Sequence, residues 1–375
     1  MESYLTAEIS SQAVSHNLQL LRQRLSPGTR LCAVVKADCY GHSIKLLLPV
    51  ISKHADYLAV ATPEEAIYLR TLGHTGPILV FFSACAYSDS QELRDALKEL
   101  VAHHVTLTVV AAPEIKAVAE AAAAVGTPAQ VHIKVDTAMG RSGIVHDKAY
   151  TLADAIRHTP GVTLGGMYTH FATADETDKA LALEQLRRFK SAARAAADRK
   201  GLTLHVANSA GTIDIPETHL DMVRPGIAIY GYQPSDDMHT RLPLQPALRL
   251  WGRLMQVKTV AGGSSCGYGM TYTFRRDSRV GLVPIGYGDG YFRSLSNSAS
   301  MRVRGKDVPI RGRVSMDQII IDLTDVPGAQ VGDIVEIISP DPAAPHSVES
   351  LARQAGTIPY EITCRLGRRV RRVLT

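Results

Sequence analysis

Short apolar segments alternate with longer amphipathic segments between residues 31 and 232. The short segments are rich in β-branched residues, as in buried strands, whereas the longer ones space their apolar residues at helical intervals. Eight segments have the pattern of strands, the last one weakly: Leu31–Val35, Asp56–Ala61, Pro77–Phe82, Val105–Val110, Gln130–Val135, Val162–Tyr168, Leu202–Val206 and Met222–Val223. The helix-like segments between them include Pro63–Leu72, Gln91–His103, Pro113–Ala124 and Lys179–Lys200.

This alternation is typical of parallel strands joined by crossover helices. Eight repeats in one stretch of chain predict an α/β fold of the (β/α)8 type, a TIM-like barrel. An open, doubly wound sheet is the alternative that the alternation alone leaves open.

The pattern changes after Pro234, where strand-like segments are joined by Gly, Pro and Asp turns. These segments are Leu250–Val260, Val280–Ile285, Met301–Val303, Val308–Val314, Ile319–Leu323 and Ile334–Ile338. Helical spacing returns at Ser347–Ala355, where Ser347 could cap a helix. We therefore expect the barrel over residues 11–240 and a mainly β C-terminal domain over 241–375, with residues 1–10 packing against the latter.

Composition narrows the class of protein. The chain has 375 residues, which suits two domains, and a hydrophobic fraction of 45%. The sequence has no run of 18 uncharged apolar residues, so we expect no membrane-spanning helix. The N-terminus lacks the pattern of a signal peptide. Five cysteines without a Cys-x-x-Cys pair indicate reduced thiols, and hence a cytoplasmic protein.

The formal net charge of +5 comes from the C-terminus, where five arginines fall within the last eleven residues. Such a cluster can bind nucleic acid, or it can protect an exposed edge strand from aggregation. No aromatic residues interleave with the arginines, which favours the edge strand, and we expect no nucleic-acid partner.

Polar residues follow the predicted barrel strands, at the end where barrels place catalysis. They are Lys36 after the first strand, Lys134 and Arg141 at the fifth, His170 after the sixth, His205 and Ser209 at the seventh, and Arg224 after the eighth. Two lysines, two arginines, two histidines and a serine would thus face one mouth.

A lysine at a buried strand end has a lowered pKa, which suits Schiff-base chemistry, although a lysine reaching to solvent is the simpler alternative. The small-residue turns Ser209–Gly211 and Arg224–Ile227 could hold a phosphate with their backbone amides. The histidines could be structural, and no carboxylate cluster accompanies them, so we expect no metal site. The lysine, the two turns that could hold a phosphate, and an arginine that could face a pyridine nitrogen together suggest pyridoxal 5′-phosphate (PLP) as the cofactor.

Over essentially its whole length the chain resembles the alanine racemases. The motifs that carry the resemblance are Val35-Lys-Ala-Asp-Cys-Tyr-Gly-His42, Lys134-Val-Asp-Thr-Ala-Met-Gly-Arg-Ser-Gly143, Thr169-His-Phe171, Ala207-Asn-Ser209, Val223-Arg-Pro-Gly-Ile-Ala-Ile-Tyr-Gly231, Gly267-Tyr-Gly269, Gly286-Tyr-Gly-Asp-Gly-Tyr291 and Ser315-Met-Asp317. The resemblance implies a homodimeric PLP enzyme that interconverts L- and D-alanine and supplies D-alanine. A racemase of another small amino acid such as serine, and a related PLP decarboxylase, are the alternatives; a PLP carrier would lack the β domain.

The resemblance also implies roles for single residues. The cofactor would be held by Lys36, Tyr40, His170, Asn208, Ser209, Arg224, Gly226 and Ile227. Lys36 would carry it covalently, and Arg224 would face its ring nitrogen. Arg141 and Met316 would hold the substrate carboxylate, and Lys36 and Tyr268 of the partner subunit would be the two bases. Supporting roles would fall to Lys134, expected to be carbamylated, and to His205, Tyr287 and Asp317.

Three positions depart from the family pattern. Ala138 stands where glycine is usual, Ser315 where some members have cysteine, and Arg368 where certain relatives have a tyrosine near the phosphate and the site entrance. Of all the predictions, these departures affect the preference for alanine most.

Overall fold

The computed structural model describes residues 4–84, 90–196 and 201–375. Its strands are β1 Leu5–Ile9, β2 Arg30–Val34, β3 Tyr57–Val60, β4 Ile78–Ser83, β5 Thr106–Val109, β6 Ala129–Asp136, β7 Ile144–Val145, β8 Val162–Tyr168, β9 Thr203–His205, β10 Met222–Val223, β11 Leu248–Arg253, β12 Gln256–Val260, β13 Ser265–Cys266, β14 Tyr272–Thr273, β15 Ser278–Val283, β16 Ser300–Val303, β17 Lys306–Arg311, β18 Ile319–Asp322, β19 Ile334–Ile338 and β20 Arg371–Leu374. Its helical segments are α1 Ser11–Gln23, α2 Lys36–Tyr40, α3 Ile44–His54, α4 Pro63–Thr71, α5 Gln91–Ala102, α6 Ala112–Val125, α7 Ala149–Arg157, α8 Ala180–Ala195, α9 Ser209–Asp214, α10 Val348–Ala355 and α11 Pro359–Cys364.

Eight parallel strands form a nearly closed barrel in the order β10-β2-β3-β4-β5-β6-β8-β9. Between β9 and β10 the Asp221 N–H donates to the Leu204 carbonyl at 3.1 Å, and the Arg224 N–H donates to the Ala207 carbonyl at 2.8 Å. These two bonds bring the ends of the sheet together, and they distinguish a barrel from an open sheet. The prediction of a (β/α)8 barrel is confirmed, with each strand within about two residues of its predicted position.

The predicted helices of the barrel are also present. Helix α4 begins with a capping box, in which the Thr62 hydroxyl accepts from the Glu65 N–H and the Glu65 carboxylate accepts from the Thr62 N–H. Helix α8 ends at Ala195, whereas the sequence predicts helix to Lys200, and residues 197–200 lie outside the described part of the chain.

A second sheet of nine strands contains the C-terminal part of the chain, in the order β12-β15-β18-β17-β16-β19-β11-β1-β20. Strand β1, from the N-terminus, lies between β11 and β20. The single predicted strand Leu250–Val260 is wrong: β11 pairs with β19, whereas β12 pairs with β15 at the other edge of the sheet. Helix α10 begins after Ser347, whose hydroxyl accepts from the Ser350 N–H at 3.2 Å.

The arginine-rich end of the chain forms β20, which pairs with β1 and is the edge strand of this sheet. Arg372 donates to the carbonyls of Gly41 at 2.9 Å and Leu366 at 2.7 Å, and Arg369 pairs with Asp289 at 2.8 Å. The cluster thus has structural partners, as the edge-strand interpretation predicts. Along the described residues, no helix has the length and apolar composition needed to cross a membrane.

Candidate active site

A cavity of about 890 Å³ lies at the carboxyl ends of the barrel strands. The residues that the sequence predicts for a site and that line it are Lys36, Tyr40, Lys134, Arg141, His170, Asn208, Ser209, Arg224, Gly226 and Ile227. Four residues to which the sequence assigned no role also line it: Tyr168, Asp175, Tyr360 and Cys364. The strand-end pattern therefore identified most of one wall, and missed the side formed by α11.

Lys36 follows β2 directly and begins an unusual turn. The next four residues, Ala37 to Tyr40, all have φ between 52° and 57° and form one left-handed helical turn. Such a conformation costs L-residues about 1–2 kcal/mol each. The turn therefore persists only because surrounding groups hold it.

Two carboxylates and a histidine hold this turn. Glu65 accepts from the Ala37 N–H at 2.6 Å, and Asp38 accepts from the Ile44 N–H at 2.7 Å. The buried His42 ring is 2.9 Å from the Cys39 carbonyl, to which Nδ1–H donates. The lysine and Tyr40 at the two ends of the turn are thus held in a fixed relation.

The cavity is rich in positive charge. Lys36, Lys134, Arg141 and Arg224 line it, and Asp175 is the carboxylate among its described lining residues. Burial and then the Arg141 charge lower the pKa of Lys36. The same two causes lower the pKa of Lys134 to about 8. A cavity with this charge favours anionic ligands.

Hydroxyl groups and backbone amides gather at the ends of β9 and β10. The Ser209 hydroxyl accepts from the Gly226 N–H at 2.8 Å, and the Asn208 side chain caps α9 by accepting from the Gly211 N–H at 2.9 Å. A Cβ at position 226 would lie 2.4 Å from the Tyr40 hydroxyl oxygen, so that only glycine fits. This end of the cavity has the donors and the space for a phosphate group.

Arg224 is buried beneath this cradle and points its guanidinium at protein acceptors. Nη1 is 2.9 Å from His205 Nδ1, and Nη2 donates to the Thr169 carbonyl at 2.7 Å. Its guanidinium lies 5.2 Å from the ring of Tyr168, on which His205 stacks. Burial lowers the pKa of Arg224 to about 10, which leaves it charged at neutral pH.

The neighbouring histidines are neutral. Burial and then the Arg224 charge lower the pKa of His170 to about 3, and the same causes hold the pKa of His205 well below its usual value. A second buried histidine, His132, lies 2.9 Å from His205 and was not predicted. Its signal in the sequence is its place two residues before Lys134, because alternate residues of a strand share a face.

Four predicted residues lie on the C-terminal domain, and none of them lines the cavity of its own chain. Tyr268, in the turn between β13 and β14, is 70% exposed, and Met316 is 53% exposed. Tyr287 is exposed as well, and Asp317 pairs with Arg369 at 2.7 Å. A single subunit therefore brings together the barrel half of the predicted site and leaves the other half at its surface.

Comparisons with known proteins agree over the whole chain. The family model of the alanine racemase N-terminal domain matches residues 9–234, and that of the alanine racemase C-terminal domain matches residues 247–374. A curated alanine racemase of Desulfovibrio desulfuricans is 41% identical over 98% of this chain and 97% of its own length, and one of Methanococcus maripaludis is 37% identical over 98% and 97%.

Solved structures of alanine racemases are also similar to this chain. The alanine racemase from D-cycloserine-producing Streptomyces lavendulae superposes with a TM-score of 0.91 at 34% identity, covering 100% of this chain and 98% of that one. The alanine racemase of Clostridium difficile 630 superposes with a TM-score of 0.92 at 32% identity, covering 100% and 96%. With both family domains matched and relatives of this identity over nearly its full length, the chain belongs to the alanine racemase family.

Proposed function

We propose that this alanine racemase family member interconverts L- and D-alanine with PLP carried on Lys36. The observation that carries the proposal is the pairing, in one cationic cavity, of a lysine of lowered pKa with a phosphate cradle at the ends of β9 and β10. Tyr40, Asn208, Ser209 and the backbone of Gly226 and Ile227 would hold the phosphate end. The residues therefore fit the cofactor without rearrangement of the fold.

When bound, PLP supplies an electron sink that stabilises negative charge at the substrate Cα. Arg224 would face the ring nitrogen and His170 the ring itself. A guanidinium with a pKa of about 10 donates a hydrogen bond but keeps its proton at neutral pH. With Arg224 at the ring nitrogen, the cofactor would be a weaker electron sink than with a carboxylic acid in that place, and side reactions such as transamination would be suppressed.

Racemisation needs proton transfer on both faces of a planar carbon. Lys36 would hold or release the proton on one face, and its lowered pKa favours the neutral amine that can accept it. Arg141 and the backbone of Met316 would hold the substrate carboxylate. Tyr268 is outside the cavity of its own chain, so we assign the second face to Tyr268 of the partner subunit.

A homodimer follows from this assignment. Tyr268 and Met316 are exposed in the single chain, as are two other large side chains of the same domain, Met270 (74%) and Tyr287 (41%). A second copy that places this surface over the barrel mouth would cover the apolar side chains and complete the site. We also propose a cytoplasmic location, in keeping with the free thiols of Cys32, Cys39, Cys266 and Cys364.

The test combines activity with chemical mapping. Circular dichroism should follow the loss of optical activity when the purified protein, loaded with PLP, acts on L-alanine, and L-serine should react more slowly. Borohydride reduction followed by peptide mapping should place the pyridoxyl group on Lys36, and Lys36→Ala should abolish both signals. A pyridoxyl group on Lys134, or release of carbon dioxide without racemisation, would contradict the proposal.

A further inference from the structure

We propose that His132 is a positioning residue for Arg224, acting through His205: it accepts the hydrogen bond that holds the His205 ring in place. The part of this inference that concerns the cofactor rests on the function proposed above, because that function makes Arg224 face the ring nitrogen. The part that concerns the three side chains rests on their own geometry.

The hydrogen bonds have only one consistent direction. A guanidinium donates and never accepts, so His205 Nδ1, 2.9 Å from Arg224 Nη1, must be the acceptor. A neutral imidazole carries one N–H, which in His205 must therefore be on Nε2. This nitrogen lies 2.9 Å from His132 Nδ1, which must accept in turn. His132 then carries its own proton on Nε2.

Burial and charge keep both rings in this neutral form. His132 is 1% exposed and His205 0%, and Arg30 and Arg224 flank the pair. Burial and then Arg30 lower the pKa of His132 to about 3. A protonated His205 would direct an N–H at the guanidinium that now donates to it, so neutrality is needed for the contact with Arg224.

The fold leaves His132 little freedom to move. A Cβ at Gly166 on the neighbouring strand β8 would lie 2.8 Å from His132 Cε1 and 2.5 Å from the Thr203 carbonyl oxygen. The missing side chain thus makes the space that the ring occupies. Arg224 Nη2 is held independently by the carbonyls of Thr169 and Val206, so His132 acts on the Nη1 side of the guanidinium.

Removal of the acceptor should loosen the ring. Arg224 still requires His205 Nδ1 as an acceptor, so the proton stays on Nε2, but without His132 Nδ1 this buried N–H has no partner. The His205 ring would then be held on one side only. The guanidinium would lose the fixed orientation of its acceptor at Nη1.

Two substitutions separate this role from packing. His132→Asn keeps a side-chain acceptor close to the position of Nδ1, whereas His132→Leu keeps comparable bulk with no acceptor. Nitrogen-15 NMR of the cofactor-free protein, with His205 assigned through His205→Asn, should find the Nε2–H tautomer in the wild type and in His132→Asn. In His132→Leu the Nε2–H should lose its hydrogen bond, so its proton resonance should shift upfield and its exchange with solvent should become faster. An Nδ1–H tautomer in the wild type, or an unchanged Nε2–H resonance in His132→Leu, would overturn the proposal, and the wild-type measurement requires no variant to fold.

A second readout involves the cofactor. The Kd for PLP should rise roughly tenfold in His132→Leu, the effect of one lost hydrogen bond to a charged group, and the ratio of racemisation to transamination should fall. His132→Asn should restore most of both. Loss of the Nε2–H hydrogen bond without any change in either quantity would leave His132 as the residue that positions Arg224, and would instead contradict the assignment of Arg224 to the cofactor ring.

Discussion

Lys134 lines the cavity together with three other cationic side chains, and their positive charge disfavours its ammonium form. With a pKa of about 8, about a tenth of the Lys134 side chains carry the free amine at pH 7, far more than for an ordinary lysine. The amine can add to carbon dioxide and release one proton, which gives a carbamate. We propose this modification because the resulting anion would attract Arg141, whereas the ammonium repels it.

The carbamate can be measured directly. Carbon-13 NMR with labelled bicarbonate should show a carbamate signal that is absent in Lys134→Ala and unchanged in Lys148→Ala, in which an exposed lysine directly before α7 is replaced. Acidification below pH 8 protonates the amine, so the signal should weaken as the pH falls. The racemase activity of Lys134→Ala should drop by about ten- to a hundredfold, as for loss of a charged orienting partner. Full activity without a carbamate signal would show that the free lysine suffices.

Ala138 adopts a conformation that its side chain disfavours. Its φ of 139° lies in a region that glycine alone occupies readily, which explains in physical terms why glycine is usual at this position in the family. Asp136 holds the strained segment by accepting from the Ala138 and Gly140 N–H groups. The loop that carries Arg141 is thus stabilised by hydrogen bonds against local strain.

Ala138→Gly should relieve this strain. We expect the free energy of unfolding to rise by about 1 kcal/mol, the lower end of the cost of such a conformation. Urea denaturation can measure the difference. Ala123→Gly, at an exposed position of α6, should have the opposite sign and lower the stability by about 1 kcal/mol. Equal losses in both variants would mean that Ala138 is not strained.

At the scale of elements, the left-handed turn α2 separates what the local sequence predicts from what distant residues impose. The strand before Lys36 and the lysine at its end could be predicted, because apolar runs and strand ends have a local signature. The turn could not, because its residues do not favour positive φ. It is imposed by Glu65 on α4 and by Arg372, which is on β20 and donates to the Gly41 carbonyl.

Two glycines with nearly the same φ differ in what surrounds them, so a comparison of the two separates the cost of a steric clash from the cost of the backbone conformation. Gly41 has φ of 84° and Gly28 has φ of 86°, but a Cβ at 41 would lie 2.1 Å from the Thr363 carbonyl oxygen, whereas one at 28 would meet nothing within 4 Å. Gly28→Ala should therefore cost about 1–2 kcal/mol of stability from the backbone alone. Gly41→Ala should cost about 1–3 kcal/mol more from the clash.

The same pair reports on function. Because Gly41 ends the turn that carries Lys36 and Tyr40, Gly41→Ala should also weaken PLP binding, as measured by titration of the cofactor-free protein. Gly28→Ala should leave the affinity unchanged. Similar affinities in the two variants would mean that α11 does not hold the turn.

The candidate site shows the same division between local and distant causes. Residues at strand ends could be predicted because the topology of a parallel barrel brings them together. His132 was missed, because a histidine inside an apolar strand has the pattern of a core residue, and its place two residues before Lys134 indicates only that it shares a face of the strand with that lysine. Tyr360 and Cys364 could not either, since only the packing of α11 against the barrel brings them to the cavity.

At the scale of the whole molecule, the proposed site is divided between the barrel and an exposed surface of the C-terminal domain. If two subunits share their sites, Lys36→Ala and Tyr268→Ala each disable both sites of their own homodimer. A mixed dimer has one site with both groups intact. Equal mixing should therefore restore about a quarter of the wild-type activity, because half of the dimers are mixed and each has one working site.

Subunit exchange must be shown separately for this experiment to count. Distinct affinity tags on the two variants allow the mixed dimer to be purified and assayed. As a control, Lys36→Ala mixed with Lys36→Arg should recover nothing. Inactive mixed dimers of proven composition would rule out sharing of Tyr268 between subunits.

The position of β1 has a consequence for synthesis on the ribosome. This strand is made before the barrel, yet it pairs with β11 and β20, which are made after it, and the Thr375 N–H donates to the Ile9 carbonyl. At ~5–20 residues per second, β20 follows β1 by roughly 20–70 s. The barrel can fold during this interval, while the apolar strand β1 remains unpaired. Premature termination anywhere before β20 would leave that strand with a free edge, and such nascent chains should depend on chaperones more than the barrel alone does.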